Sequence, residues 1–278
     1  MSHLGPNGVV VIFGTYNRLE SLQRAVKSIR AAVGSRPYET VVIDAGSTDG
    51  TREWLLEQDD VVLVGQRGPL SGAVRAFNLG FSYAVDIGAP FVCHFNDDAE
   101  FETPSALSKA AEILEQNARV GEVAFEFDLY PGRSFDQIHG DVYANFGLVR
   151  LEAGMDVARA QGDSSGRLWW NPMYRTYAAD CEFACWLRRL GWGIHPGEGL
   201  KIHDLNIQDE LRELNKSEND RRGDSRKFWE RWEHREWTVP VVRLANVVWK
   251  NSQVLMGADG VRIGPNWIRL DHPGTPRA

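Results

Sequence analysis

Three polar residues, Asn96, Asp97 and Asp98, close the apolar run Phe91-Val92-Cys93-His94-Phe95, and Ala99-Glu100-Phe101 follows them. Acidic side chains at the end of a buried strand stand where open α/β sheets bind ligands, in the crevice beyond the carboxyl ends of the strands. Crowded carboxylates repel one another unless a cation joins them. Oxygen ligands of this kind suit Mg2+ or Mn2+, commonly together with the phosphates of a bound nucleotide. Taken alone, the same residues could be a solvated acidic turn that caps the next helix. Other strand ends bear on the choice. Thr15, Tyr16 and Arg18 follow a first apolar run, and Asp44 closes a second, Thr40-Val41-Val42-Ile43. Arg75 and Asn78 lie on a helical segment between the second of these and Phe91. One Asp at a strand end is readily an N-cap; three strand ends polar in the same sense point to one shared ligand. Asp44 can accept from a base N–H, and Tyr16 can stack on the base.

The elements that must position these residues are legible from periodicity. Residues 8–14 read as a buried strand, followed by helical spacing at Leu22, Ala25, Val26 and Ile29. Strands are predicted at 40–44, 61–64 and 91–95. Helices are predicted at the short Trp54-Leu55 segment, with Asp49 as its cap, and at 72–85, where Val74, Phe77, Leu79 and Phe81 recur. Short continuous apolar strands alternating with helices predict a mostly parallel sheet covered on both faces. The second half is less regular. Strands are predicted at 120–129 and 141–150, around a turn at Pro131-Gly132. A helix is predicted at 180–190, stopped by Gly191, and a short strand at 199–203. Residues 205–234 read as charged and helical, and the tail from Pro240 as strands with Gly and Pro turns.

Composition bounds the function. The 278 residues carry 31 Lys and Arg against 38 Asp and Glu, a formal charge of −7, so a general nucleic-acid or anionic-membrane surface has no electrostatic support. The basic residues from Arg221 to Arg235 alternate with acids and read as a solvated helix face. Cys93, Cys181 and Cys185 are too few and too irregular for a disulfide framework or a complete zinc site. The amino terminus lacks the basic and apolar regions of a signal peptide, and no apolar run is long enough to span a bilayer, so the expectation is a cytoplasmic protein. The first strand is followed by Gly14-Thr15-Tyr16-Asn17-Arg18, neither G-x-G-x-x-G nor a Walker motif, which argues against a dinucleotide site and for phosphate held through a metal.

Five segments in order, V-V-I-F-G-T-Y-N-R, V-V-I-D-A-G-S-T-D-G-T, R-A-F-N-L-G-F, H-F-N-D-D-A-E-F and Asp180-Cys181-Glu182-Phe183 leading into L-R-R-L-G-W, make the chain resemble a family 2 glycosyltransferase of the GT-A fold. The resemblance spans roughly residues 8–204. It implies an α/β GT-A domain over 1–204, with a nucleotide-sugar half at 1–100 and an acceptor half at 101–204, and a C-terminal extension over 205–278 packed on it. It also implies metal-dependent, inverting transfer from a nucleotide-diphosphate sugar, with a UDP-sugar as the expected donor. Thr15, Tyr16 and Asp44 would contact the base and ribose, and Arg75 the nucleotide; Arg18 and Asp97 join this donor set. Asn96 and Asp98 occupy the outer positions of the D-x-D motif. The first acid is Asn here, which leaves Asp98 as the metal ligand, with Asp97 able to compensate. His203 resembles the late His of many GT-A metal sites, against the alternative of a structural His beside Asp204. Asp180 matches the catalytic base, against an N-cap reading, and Glu182 is the rival base. Trp169 and Trp170 are either a sugar-stacking platform or core aromatics. The other functional classes to weigh are a sugar-phosphate nucleotidyltransferase, whose glycine-rich G-x-G-T-R stretch is missing, and a noncatalytic carbohydrate- or nucleotide-binding module. The acceptor itself is not legible.

Overall fold

The computed structural model describes residues 3–65, 70–127, 134–138 and 141–236, except the side chains of 220, 222 and 233–236, and the backbone of three strands between 254 and 268. The chain opens with β1 (Val9–Thr15), α1 (Leu19–Ala32), β2 (Tyr38–Asp44), α2 (Thr51–Leu56), β3 (Val61–Gly65), α3 (Ala73–Ile87) and β4 (Phe91–His94). It continues with β5 (Ala99–Phe101), α4 (Ala106–Gln116), β6 (Val120–Phe127), β7 (Asp136–Ile138), β8 (Asp141–Tyr143), β9 (Gly147–Arg150) and α5 (Leu151–Ala160). Then come α6 (Ala179–Arg189), β10 (Gly193–Asp204), α7 (Glu210–Arg222), α8 (Asp224–Glu236) and the strands β11 (Val254–Gly257), β12 (Gly260–Ile263) and β13 (Asn266–Ile268).

Eight strands form one sheet in the order β3-β2-β1-β4-β9-β6-β10-β5. The β3-β2-β1-β4 half is parallel throughout, as the βα alternation predicts. β9 then enters antiparallel between β4 and β6, and β5 closes the sheet antiparallel to β10. Alternation along each buried strand feeds two cores. Val9, Val11 and Phe13 of β1 face α1 and α4, while Val10 and Ile12 face the layer of α3, α5 and α6. α3 lies close on β1: a Cβ at Gly80 would stand 2.2 Å from Ile12 Cγ2, so glycine sets that approach. Asp49 accepts from the backbone N–H of Thr51 at the start of α2 and of Leu19 at the start of α1.

The less regular half departs from the sequence expectations in definite ways. The strand expected over 141–150 is two strands, β8 and β9, with β9 inserted in the main sheet and β8 paired with β7 in a separate hairpin. The helix α5 and the three-residue β5 are additions to the elements read from periodicity. The long charged helix breaks into α7 and α8 at Gly223, which adopts φ 67°, a left-handed conformation that favours glycine. Part of the strand expected at 120–129, with the Pro131-Gly132 turn, lies outside the described residues. β11, β12 and β13 form an antiparallel sheet, as expected of the tail. Among the described residues no helix is long and apolar enough to cross a membrane.

Candidate active site

β1 pairs with β2 on one side and β4 on the other: the chain leaves β1 toward β2 and β3 and then crosses back to β4, so the strand order reverses beside β1. The crevice this topology opens is the expected ligand position of such a sheet. A cavity of about 560 Å³ occupies it, lined by Thr15, Tyr16 and Arg18 after β1, by Asn96, Asp97 and Asp98 after β4, and by Asp180 of α6. The strand-end residues singled out from the sequence at β1 and β4 therefore share one wall.

That wall is organised around a guanidinium. Arg18 Nη1 donates to Asp97 Oδ1 at 2.8 Å and to Asp98 Oδ2 at 3.2 Å, while Nε donates to Asp209 Oδ2 at 2.8 Å. Thr15 Oγ1 donates to the other oxygen of Asp97 at 2.9 Å. Asp209 also caps α7, accepting from the Arg212 backbone, so one carboxylate both starts that helix and ties it to β1 across 191 residues. Burial disfavours the charged form of Arg18, but Asp209, Asp97 and Asp98 outweigh it and hold the guanidinium protonated. Burial raises the Asp97 carboxyl to about 6 despite Arg18, with Asp98 adding to the rise. Asp98 is also raised, by burial first and by the charge of Asp204, against Arg18 and Arg212.

This excess of buried acid is the observation against which a metal can be tested. Among the described residues no three His, Cys, Asp or Glu side chains converge as a protein cage for an ion. Two carboxylates beside a cavity do fit a hard cation that keeps phosphate oxygens and water as its other ligands, the usual manner of Mg2+. His203 is not among them. It is exposed on β10 and does not line the cavity. Side chains alternate along a strand. Ile202, its neighbour, is buried, and Asp204 is the residue whose charge reaches Asp98. The expected metal ligand His203 is thus not brought to the cavity.

On the nucleotide side, Asp44 is 1% exposed. Its Oδ1 accepts from the Ser47 backbone at 3.0 Å. Its buried Oδ2 has no hydrogen bond and meets only the Arg52 guanidinium, at 3.8 Å, which leaves an acceptor between Ile43 and Ala45, two residues that line the cavity. Asn17, in left-handed conformation, donates its N–H to Ser47 Oγ and accepts from Thr48 N–H, which ties the loop after β1 to the loop after β2. Arg75 is not brought to this cavity. It is exposed on α3 and lines a second hollow of about 400 Å³ with Met173 and Leu168.

Asp180 stands in the first turn of α6, half-buried, with its Oδ1 accepting from Cys181 N at 2.9 Å. The helix is entered through Ala178 at φ 68°, a strained conformation for a residue with a Cβ. Burial raises the Asp180 carboxyl, opposed by the Cys181 backbone and the charge of His94, with Asp136 adding to the rise. Glu182, two residues on, is 1% exposed and committed elsewhere. It accepts from Asn171, Tyr174 and Trp186 and pairs with Arg231 at 3.5 Å. The geometry separates the two rivals: Asp180 faces the cavity and Glu182 joins three segments of the fold.

Of the two readings of the tryptophan pair, the structure gives Trp169 the core one. Trp169 is wholly buried, stacked on Phe81 at 4.5 Å between ring centroids, with its N–H donated to Gly166 O. Trp170 packs on Phe77 at 4.3 Å between ring centroids and, though buried, lines the cavity. Trp169 therefore offers no face to a sugar. The cavity's exposed indole is Trp229 of α8, 38% exposed, accompanied by Leu214 and Arg212 of α7 and by Arg175. Sequence reading misses these: Phe228, Trp229 and Trp232 recur at helical spacing, the pattern of a helix face packed on a core. Phe228 and Trp232 do take that part. No local signal distinguishes Trp229, since its exposure depends on where α8 packs.

Residues 10–145 match the model of glycosyl transferase family 2. Over 159 residues the chain is 30% identical to an uncharacterized glycosyltransferase of Mycobacterium tuberculosis, found in two strains; the match covers 57% of this chain and 58% of the relative's length. Among solved structures, the mannosyltransferase PcManGT of Pyrobaculum calidifontis, in complex with GDP-Man and Mn2+, superposes with a TM-score of 0.57 at 17% identity, over 89% of this chain and 76% of that one. TarS 1-349 of S. aureus in complex with UDP-GlcNAc superposes with a TM-score of 0.54 at 16% identity, over 73% and 59%. Likeness at such identities speaks to the fold, which is the GT-A type expected from the sequence. The likeness to glycosyl transferase family 2 thus covers residues 10–145, from β1 to just past β8, and the proteins to which this chain is similar are glycosyltransferases.

Proposed function

We propose that the protein transfers a sugar from a nucleotide-diphosphate donor to an acceptor hydroxyl with inversion at the anomeric carbon, and that the donor is a UDP-sugar. The observation that carries this reading is the common cavity: strand-end groups suited to a nucleotide diphosphate and the Asp180 carboxylate line the same space. Asp44 Oδ2 accepts from a base N–H, and Tyr16 packs on the base. Asp97 and Asp98 would hold a divalent cation together with the diphosphate, and Asn96 would contact ribose or phosphate. When bound there, the cation stabilises negative charge on the leaving diphosphate. Arg18, already in contact with both carboxylates, keeps them in place and adds a fixed positive charge to the same wall.

The acceptor oxygen attacks the anomeric carbon on the face opposite the diphosphate. The bond from that carbon to the phosphate oxygen breaks, its electron pair leaves with the nucleotide diphosphate, and the acceptor proton passes to Asp180. Trp229 and Leu214 form the apolar rim on the side from which an acceptor would enter.

The test is a panel of nucleotide sugars, including UDP-GlcNAc and GDP-Man, assayed for donor turnover with Mn2+, with Mg2+ and with excess chelator. Metal-dependent release of UDP with an inverted product supports the reading. Retained configuration overturns the single displacement, full turnover in chelator overturns the metal, and GDP-Man as the sole donor overturns the uridine assignment.

A further inference from the structure

Asp209 neither lines the cavity nor falls in the segment that matches the family, yet it grips the residue that touches both strand-end acids. The guanidinium of Arg18 is planar and offers its donors by edge. Nε and Nη2 form a two-bond fork with Asp209, at 2.8 Å to Oδ2 and 3.0 Å to Oδ1. Nη1 alone turns to the strand-end acids, at 2.8 Å from Asp97 Oδ1 and 3.2 Å from Asp98 Oδ2. The Arg18 side chain is 9% exposed, so its donors answer to these carboxylates rather than to water. Asp209 is fixed in turn, because its Oδ1 also accepts from the Arg212 N–H at 2.9 Å as the N-cap of α7.

This division decides what the acids can still do. A two-bond fork to a carboxylate is the strongest arrangement an arginine makes. Were the Nε and Nη2 edge free, the guanidinium would turn it on Asp97 or Asp98 and take both oxygens of one carboxylate. Held by Asp209, it gives one bond to each. Asp98 Oδ1 then lies outside these bonds, and Asp97 Oδ2 accepts from the Thr15 hydroxyl. One guanidinium faces three carboxylates, an excess of negative charge of the kind a divalent cation offsets.

We propose that Asp209 is a positioning residue for the cation site: by reserving the forked edge of Arg18, it keeps Asp97 and Asp98 open to a divalent cation. The inference rests on the reading that these two acids hold the cation of the proposed reaction. It places control of cation affinity at the start of α7, in a part of the chain that the family match does not reach.

The experiment is a titration of the full chain with Mn2+ alone, read by the EPR signal of the free ion, in the wild type, Asp209→Asn, Arg18→Gln and the double variant. Each is also unfolded in denaturant. Asn caps a helix as well as Asp, so Asp209→Asn keeps the α7 cap while setting an amide against the forked edge. Mn2+ affinity should be about tenfold weaker in Asp209→Asn, the lower end of what losing a group that orients a metal ligand costs. Adding the change to Arg18→Gln should weaken it no further, since the effect passes through Arg18. A purely structural cap would lower the unfolding midpoint and leave Mn2+ affinity unchanged, and that result overturns the proposal. So does an equal weakening in the Arg18→Gln background, which would make Asp209 a distant charge rather than a guide for Arg18. In the wild type, the Arg18 Nε–H proton should stay protected from exchange with and without Mg2+. Its exposure on adding Mg2+ would mean that the fork opens when the cation binds, and overturns the proposal whether or not the variants fold. A wild type that binds no Mn2+, alone or with UDP, instead removes the cation of the proposed function, and with it what Asp209 would position.

Discussion

The two walls of the cavity are built differently. On the β1 and β4 wall, every polar group stands at the last residue of a buried strand or up to four residues beyond it, and the parallel register of β1 with β2 and β4 carries them to one place. The opposite wall collects Tyr143, Arg175, Asp180, Arg212 and Trp229 from five separate segments, two of them helices some 200 residues from β1. The first wall is a property of the sheet. The second is a property of how loops and helices close over it, and it is held by buried polar ties. Asp224, for example, accepts from the backbone N–H groups of Arg175, Thr176 and Tyr177 at the start of α8. The family match ends near the same boundary, at residue 145, so the sheet wall is the shared part and most of the helical wall lies beyond it.

The largest expected effect tests whether the helical wall does chemistry. Asp180→Asn should lower kcat by about 10²- to 10⁴-fold, the usual contribution of a positioned base, with donor affinity unchanged by calorimetry. Glu182→Gln should instead lower the midpoint of denaturant unfolding, because its partners are structural. If Glu182→Gln abolishes turnover in a fully stable protein, the assignment of the two acids is reversed.

The two exposures of tryptophan sharpen the comparison next. Trp169→Ala should cost about 3–5 kcal/mol of stability in chemical denaturation, as expected for a large aromatic removed from a packed core. Trp229→Ala should stay within about 0.5 kcal/mol of the wild type, as for a surface change, while raising the acceptor concentration needed for saturation. Equal destabilisation by both would mean that α8 is core rather than wall.

On the sheet wall, Asp44→Asn keeps the shape and replaces a charged acceptor. A charge-assisted bond is worth about 1.5–3 kcal/mol, so binding of free UDP should weaken roughly ten- to a hundred-fold, measured by calorimetry. Unchanged affinity would take Asp44 out of the nucleotide site.

The smallest effect lies away from both walls and serves as their control. Asp60 is held down to about 2 by its bond with Arg30, against partial burial and with help from Tyr38. A carboxyl lowered on folding stabilises above its unfolded value of about 3.9, and that stabilisation is lost as pH falls through the folded value. Stability should therefore decline between about pH 4 and pH 2, less steeply in Arg30→Ala, by under about 1 kcal/mol for so exposed a pair. A larger change in that window would assign acid sensitivity to the surface rather than to the cavity.

Much of this architecture is legible in the amino-acid sequence. The apolar runs of β1, β2, β3 and β4 specify the parallel half, and the residues just past β1, β2 and β4 mark the crevice, because period-two burial and strand-end position are local properties of a chain. Asp180 is legible from its resemblance to a family pattern. His203 is not brought to the cavity, since alternation along β10 turns Ile202 inward and leaves His203 outside. Trp169 cannot be sorted from a platform by its type, because its burial depends on Phe81 and Phe183 from two other helices.

By itself, then, the sequence determined the fold class, the resemblance to a glycosyltransferase family and the place of the strand-end carboxylates, all of which depend on short segments whose spacing is set by backbone geometry. Only the tertiary structure decided that Arg18 bridges Asp97, Asp98 and Asp209, that Glu182 is structural, that Asp204 rather than His203 reaches Asp98, and that His94 meets Glu122 across Gly147. The hydrogen-bonded pairs among these join groups 28 to 191 residues apart, apart from the local bonds of Glu182. They arise from side chains brought together by packing and by the need to pair buried charge, which no local spacing records.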